Sequence, residues 1–264
     1  IGIGGIGMSA LARYFYNKGC SVSGYDKTPS PLTRKLEEEG ILVHYEDEPA
    51  LIPSDVDLVI LTPAIPADSK ELAYLREKGV RIIKRAQVLG EISRQCDTVA
   101  VAGSHGKTTV TSLVSHILHY AQKPMSAFIG GIAKNINSNV IIGDENDEVV
   151  VMEADEFDRS FLQITPYISI VTSIDADHLD IYGDEQQVFD AFNQFVGQTK
   201  EEGVVIYNSS LPIVTDRRKL TYGFKNADVM ARNVRVVDGM TRFSVMTTEG
   251  LDLGDYKMQL FGEH

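Results

Sequence analysis

Apolar positions along the chain switch between two periods. Runs rich in β-branched and aliphatic residues, such as Asp57–Thr62 (DLVILT) and Thr98–Ala102 (TVAVA), read as buried strands. Between such runs the apolar spacing lengthens to three and four. Met8, Leu11, Ala12 and Phe15 then share one helical face, as do Val110, Leu113, Val114, Ile117 and Leu118. In residues 1–97 the alternation predicts strands at Ser21–Tyr25, Asp57–Thr62 and Val80–Lys84. It predicts helices after the first glycine turn and at Pro31–Gly40, Asp68–Gly79 and Arg85–Arg94. Strands alternating with helices imply a parallel, doubly wound sheet. A second series opens with Thr98–Ala102, so the domain boundary is expected at Gln95–Asp97, dividing the chain into 1–97 and 98–264. Further strands are expected at Asp147–Met152 and Tyr167–Ser173, and the polar stretch from Gly131 through Asn139 reads as loop. The helix expected at Glu185–Gln198 turns Val188, Phe189, Phe192, Phe195 and Val196 inward, an aromatic stripe that is core. From Gly203 onward strands follow one another at Val204–Tyr207, Lys219–Phe224, Val229–Val237, Thr241–Thr248 and Asp255–Phe261. Turns such as Asp238-Gly239 separate them, and the reading is an antiparallel extension of the parallel sheet.

Composition narrows the class without changing this picture. The chain has 264 residues, 43% hydrophobic and 23% charged, which allows two domains with sizeable cores. Its net charge of -12 argues against non-specific nucleic-acid binding, because phosphate contacts need a basic patch and none is visible. No apolar run approaches membrane-spanning length, and no signal peptide precedes the first motif. The two cysteines, Cys20 and Cys96, supply neither a disulfide framework nor a metal spacing, so reduced thiols in a cytoplasmic protein are expected. The chain opens inside a strand, with Ile1, Gly2 and Ile3 before the turn, and further residues are expected upstream. His44 reads as a surface histidine, and His116 and His119 as structural.

The chemistry concentrates after strand ends. Gly103-Ser104-His105-Gly106-Lys107-Thr108-Thr109 lies between a strand and an amphipathic helix, the layout of a phosphate-binding loop. Backbone N–H groups at the helix start face the anion, and the helix dipole adds positive charge there. In that layout Lys107 holds the β- and γ-phosphates and the Thr108 hydroxyl ligates Mg²⁺. The general pattern places glycine where Val101 stands, so this is a shorter G-x-x-G-K-T-T form.

Gly2, Gly4 and Gly7 form G-x-G-x-x-G, and Asp26 follows at a strand end. Taken alone these residues leave NAD and another nucleotide diphosphate equally open, since backbone N–H to phosphate serves either. The proline-flanked turn Pro63-Ala64-Ile65-Pro66 stands where a strand end meets ligand, and reads equally as an ordinary tight turn. The strand Asp147–Met152 delivers Glu153-Ala154-Asp155-Glu156-Phe157-Asp158. Carboxylates this dense repel one another without a cation, which favours a metal, with Glu153 the best ligand. Asp175-Ala176-Asp177-His178 follows the next strand. His178 reads either as a second metal ligand or as a paired surface group.

Four ordered stretches together resemble the Mur ligases: GIGGIGMS at Gly2–Ser9, AGSHGKTT at Ala102–Thr109, EADEFD at Glu153–Asp158 and DADHLDIYGD at Asp175–Asp184. The resemblance covers essentially the whole chain. It implies an α/β protein with a Rossmann-like N-terminal domain that binds a UDP substrate, followed by a P-loop central domain. Gly4, Gly5, Ile6, Gly7, Met8 and Ser9 would meet the diphosphate, and Asp26 with Thr62, Pro63, Ala64 and Ile65 the uridine side. Gly103 to Thr109 would bind ATP, with Lys107 on the γ-phosphate and Thr108 on a first Mg²⁺. Glu153 and His178 would hold a second Mg²⁺, for which Mn²⁺ can substitute. His105 would lie between nucleotide and sugar substrate. Lys107, Glu153 and His178 are thus the implied catalytic residues. The family's third domain, which closes over ATP, begins after a Gly-x-His-Asn motif. This chain ends at Gly262-Glu263-His264, so the resemblance implies a two-domain fragment, inactive alone. The segment Tyr207–Leu220 is shorter than is usual in the family.

The GIGGIGMS form is similar to the branch that adds L-alanine to UDP-N-acetylmuramate rather than to the murein-peptide recycling branch. The implied reaction belongs to cytoplasmic cell-wall precursor synthesis, and proceeds through an acyl phosphate that the L-alanine amine then opens. Neither nucleic acid nor membrane is an expected partner. The recycling ligase remains the alternative within the family. Outside it stand a nicotinamide-dependent enzyme fused to an ATPase and a fragment that binds nucleotide-sugar and phosphate without catalysis.

Overall fold

The structure, a computed structural model, describes residues 1–133, 136–143, 149–175 and 182–259. The chain forms two compact units, Ile1–Cys96 with Thr111–Met152, and Asp97–Val110 with Glu153–His264.

In the first unit helix α1 (Ile6–Asn17) follows the glycine turn and buries Met8, Ser9, Ala10, Leu11, Ala12 and Arg13. Strand β1 (Ser23–Tyr25) pairs in parallel with β2 (Leu42–His44), and β3 (Leu58–Leu61) in parallel with β4 (Arg81–Lys84). Residues 1–3 lie between the two pairs. The Ile1 nitrogen donates to Ile60 O at 2.8 Å, and the Gly2 and Ile3 N–H groups to Tyr25 O at 2.7 and 3.0 Å. Strand β2 escaped the sequence reading because three residues are too few to display a period.

Helices α2 (Pro31–Glu38), α3 (Lys70–Glu77) and α4 (Arg85–Gln95) connect these strands. Each of the first two starts where chemistry directs it. Ser30 caps α2, with Pro31 in the first turn, where its missing N–H costs nothing. Ser69 accepts the Leu72 N–H to cap α3, and Asp47 accepts the Lys70 and Glu71 N–H groups, each at 2.9 Å. Burial pushes the Asp47 carboxyl up. The Glu71 and Lys70 N–H groups, the Ser69 hydroxyl and the Lys70 charge together outweigh it and leave Asp47 below its usual range. His44 is not the surface histidine expected. Its Nε2 lies 2.6 Å from Oε1 of Glu71, which is 1% exposed, because the start of α3 carries Glu71 to the end of β2.

The first unit also contains β6 (Met125–Ala133), parallel to β8 (Val149–Glu153) through Met125↔Val149 to Phe128↔Met152 and antiparallel to β7 (Ser138–Ile141). This corrects the loop expected through Asn139. The pairs Phe128↔Val140 and Ala133↔Ser138 draw polar Ser138 and Asn139 into a strand. Asn139 is fully buried, and its amide donates to Ile6 O at 2.5 Å and Ser9 Oγ at 3.1 Å. Its Oδ1 accepts from Arg13 NH1 at 3.0 Å, while Arg13 Nε meets Glu39 at 2.5 Å. Substituting Asn139→Ala leaves a buried guanidinium donor without its acceptor. It is expected to cost about 2–3 kcal/mol, read as a lowered urea midpoint at unchanged slope.

The second unit is built on β5 (Asp97–Ala102), buried over Thr98–Ala102. The strand order outward from it is β5, β9 (Ile168–Val171), β10 (Val204–Asn208), β11 (Lys219–Gly223), β12 (Val229–Val237), β13 (Met240–Thr247) and β14 (Asp252–Met258). The antiparallel extension is smaller than expected. β9 to β12 all pair in parallel, and only β12–β13 and β13–β14 are antiparallel. Turn residues announce that a chain reverses or crosses over, and do not distinguish the two when strands are short. Helix α5 (Lys107–Tyr120) follows the loop after β5. A later helix, α6 (Glu185–Gly197), is capped by Asp184, whose side chain accepts the Gln187 N–H. It buries Val188, Phe192, Phe195 and Val196, with Phe192 and Phe195 against Phe161, so the aromatic stripe is core.

Candidate functional site

In the first unit the turn Gly2–Gly7 is shaped by what touches it. Gly2 has φ +83°, and a Cβ there would lie 2.4 Å from Thr62 Cγ2 and 3.3 Å from Ile65 Cδ1. Asp26 Oδ2 accepts the Gly4 N–H at 2.7 Å, and a Cβ on Gly4 would meet that oxygen at 2.8 Å. The structure therefore brings Gly2–Gly7, Asp26, Thr62 and Ile65 together, although Asp26 uses an oxygen on the turn itself. It adds one residue that the sequence reading missed. Arg85, the first residue of α4, places NH1 2.7 Å from where a Gly7 Cβ would be. Its only sequence signal was a cation just past a strand end. A mostly apolar pocket of about 480 Å³ in this unit, lined by Leu11, Phe15, Val22, Val59 and Leu75 among others, reaches the turn at Ile3.

In the second unit β5 ends at Ala102 and the chain turns sharply. Gly103 has φ +144°, and a Cβ on it would stand 2.0 Å from Thr172 Oγ1 and 2.9 Å from Ser173 N. That close approach to the segment after β9 requires glycine. The loop is strapped to the same segment. Ser104 N–H donates to Ser173 O at 3.1 Å, His105 N–H to Ser173 Oγ at 2.8 Å, and Asp175 N–H to Ser104 Oγ at 2.9 Å. Thr172 Oγ1 donates to His105 O at 2.5 Å and lies 3.2 Å from Ala102 O. The loop is thus a preformed turn, held from outside its own sequence.

Helix α5 begins at Lys107. Its first-turn N–H groups lack intrahelical acceptors, and Thr108 and Thr109 are exposed there, so donors, hydroxyls and the positive end of the dipole gather at one point. Among the residues of the expected apolar face, Ile117 is 62% exposed, whereas Thr111 and Ser115 are buried. The small side chains let the helix pack closely, and Ser115 Oγ donates to Thr111 O at 2.7 Å. His116 and His119 are exposed.

Lys107 does not face an empty site. Its ammonium lies 2.8 Å from Gly103 O and 2.9 and 2.8 Å from the two carboxylate oxygens of Glu156. Glu156 is buried, 4% exposed, and Lys107 is half-buried, 15% exposed. The acidic run Glu153–Asp158 was expected to need a cation. At Glu156 that cation is Lys107, while Asp155 Oδ1 accepts the Phe157 N–H in a local turn. Glu153 is half-buried at the end of β8, and Ala154 N–H donates to Val101 O at 2.8 Å. His105 Nε2 stands 3.5 Å from Asp175 Oδ2, with the imidazole 58% exposed. Among the described residues no group of three or more His, Cys, Asp or Glu side chains could hold a metal ion. His178 lies outside the described residues. No helix among the described residues is long and apolar enough to cross a membrane.

Comparison with known proteins places the chain in a family. Residues 1–96 match a model described as the Mur ligase family, catalytic domain, and residues 101–264 one described as the Mur ligase middle domain. A UDP-N-acetylmuramate–L-alanine ligase from Cytophaga hutchinsonii is 47% identical over 256 residues, covering 93% of this chain and 55% of that protein. The Flavobacterium psychrophilum protein of the same name is 47% identical over 270 residues, covering 100% and 58%. The chain spans a little over half the length of these curated relatives. Among solved structures, the UDP-N-acetylmuramate–alanine ligase of Thermotoga maritima superposes with a TM-score of 0.85 at 28% identity, covering 99% of this chain and 60% of that one. A UDP-N-acetylmuramate:L-alanyl-gamma-D-glutamyl-meso-diaminopimelate ligase from Neisseria meningitides superposes at 0.86 with 24% identity, covering 99% and 86%. At that identity the second likeness concerns the fold.

Proposed function

The chain belongs to the Mur ligase family, and from that premise we propose that it forms the substrate- and ATP-binding portions of a ligase joining L-alanine to UDP-N-acetylmuramate. The observation that carries the reading is the strapped loop Gly103–Thr109, with Lys107 at the start of a helix. It occurs in a chain whose relatives at 47% identity are L-alanine ligases. Those relatives favour this branch over the alternative within the family; the Neisseria meningitides structure shares the fold at 24% identity.

Residues 1–97 take the UDP substrate. The turn Gly4–Ser9 and the N-terminus of α1 offer N–H groups to a diphosphate, Arg85 beside Gly7 offers a planar cation, and Asp26 with Thr62–Ile65 borders the uridine side. Residues 98–264 take ATP on Gly103–Thr109. In the reaction the lactyl carboxylate attacks the γ-phosphorus and ADP leaves. The L-alanine amine then attacks the acyl phosphate, phosphate leaves, and the ammonium proton is lost as the amide forms. The protein's part is positioning and charge neutralisation, because a carboxylate approaching a triphosphate is strongly repelled. Lys107 neutralises the transferred group, and His105 borders the two substrates. Thr108 would offer its hydroxyl to a first Mg²⁺ and Glu153 its carboxylate to a second, for which His178, outside the described residues, is the other proposed ligand, and the metals when bound would supply further countercharge.

Calorimetric titration of this chain tests the reading. UDP-N-acetylmuramate should bind saturably and NADH should not. Substituting Arg85→Ala should weaken the UDP substrate about tenfold, the scale of one charge-assisted phosphate contact. Binding of NADH alone would overturn the assignment and return Gly2–Gly7 and Asp26 to a nicotinamide cofactor.

A further inference from the structure

We propose that Glu156 is an internal competitor for Lys107, a carboxylate that occupies the lysine until a polyphosphate displaces it. The proposal rests on the reading of Gly103–Thr109 as a phosphate loop, and adds to it a device that sets nucleotide affinity.

An ammonium carries three protons. Lys107 has three acceptors within 2.9 Å, one carbonyl and two carboxylate oxygens, so its donors are all committed inside the protein. A phosphate oxygen can gain a Lys107 proton only when one of these contacts is given up. The two partners are unequally free to do so. Glu156 sits where its backbone is pinned from several sides. Its carbonyl accepts the Tyr182 hydroxyl at 2.6 Å and the Arg159 N–H at 2.9 Å, and the guanidinium of Arg159 stacks 5.0 Å from the Tyr182 ring centroid. Immediately before it, Asp155 is fixed by the Phe157 and Phe161 N–H groups. Lys107 is the flexible partner, a four-carbon stem at the first turn of α5. The carboxylate stays and the ammonium swings.

Charge gives the device its direction. Glu156 is buried and Lys107 half-buried, so the pair is partly shielded from water and attracts, and Glu156 repels any anion approaching the same ammonium. Removing the negative member leaves a half-buried cation without its counterion, which is a stronger anion site than the intact pair. A residue with a purely structural role behaves oppositely, since losing it loosens the loop and weakens binding.

The experiment is calorimetry of this chain with MgATP and, separately, with inorganic tripolyphosphate, in wild type, Glu156→Gln and Glu156→Asp. The glutamine variant should bind both probes about tenfold more tightly. The aspartate variant, which keeps the charge and shortens the reach, should fall between it and wild type, and carries the test alone if the glutamine variant does not fold. Weaker or unchanged binding in the variants, with wild-type binding measurable, overturns the competitor role and leaves the phosphate loop standing. Absence of MgATP and tripolyphosphate binding in wild type and variants alike overturns the loop reading and this proposal with it.

Discussion

Substituting Lys107→Ala is expected to lower MgATP affinity of this chain at least about a hundredfold and to destabilise the second unit at the same time. The two effects have separate causes. Binding fails because the loop loses its only side-chain cation among Gly103–Thr109, and a charged contact to phosphate from a half-buried donor is worth about 2–3 kcal/mol or more. Stability falls because Glu156, 4% exposed, keeps its charge and loses its partner. Breaking a buried pair from one side costs about 3–5 kcal/mol. The double variant Lys107→Met with Glu156→Gln separates them. It removes both charges, and should recover most of the urea midpoint while binding no MgATP. Retained nucleotide binding in Lys107→Ala would sink the assignment of the loop. A midpoint that stayed depressed in the double variant would show that the lysine stem, rather than the charge pair, supports the fold.

Substituting Gly103→Ala should be among the most damaging single-methyl additions in the chain. The new Cβ would stand 2.0 Å from Thr172 Oγ1 at a backbone φ of +144°. Thr172 cannot retreat freely, because it is 5% exposed and its hydroxyl contacts Ala102 O and His105 O. The Ser173 backbone, 2.9 Å from the same position, cannot rotate away at all. Overlap and left-handed backbone together are expected to cost about 3–5 kcal/mol, and to break the straps from Ser173 that shape the loop. Gly239 is the control. Its φ is +70°, and a Cβ there meets nothing within 4 Å, so Gly239→Ala should cost only about 1 kcal/mol. Urea midpoints of the two variants decide the matter. Equal losses would mean that φ alone, and not the approach of β9's extension, demands glycine at 103.

Much of this architecture was legible along the chain, because the features concerned are local. A β-branched run followed by Gly-Lys-Thr-Thr and an amphipathic stretch specifies strand, turn and helix from neighbouring residues alone, and β5, the loop and α5 stand where the period changes. The glycine turn and α1, the core stripe of α6 and the four ordered motifs that mark the family were readable for the same reason. What tertiary structure decided is which distant groups meet. Lys107 and Glu156 are 49 residues apart, and nothing in EADEFD marks its fourth residue rather than its first as the partner of the lysine. Arg85 against Gly7, His44 against buried Glu71, and Asn139 across to Arg13 are contacts of the same kind. The burial of Thr111 and Ser115 in α5 in place of Ile117, and the parallel pairing of β10 to β12, also depend on what lies alongside. Periodicity states that an element has two faces. Only the neighbouring elements determine which face is covered, which strand edge is paired and which charge is neutralised.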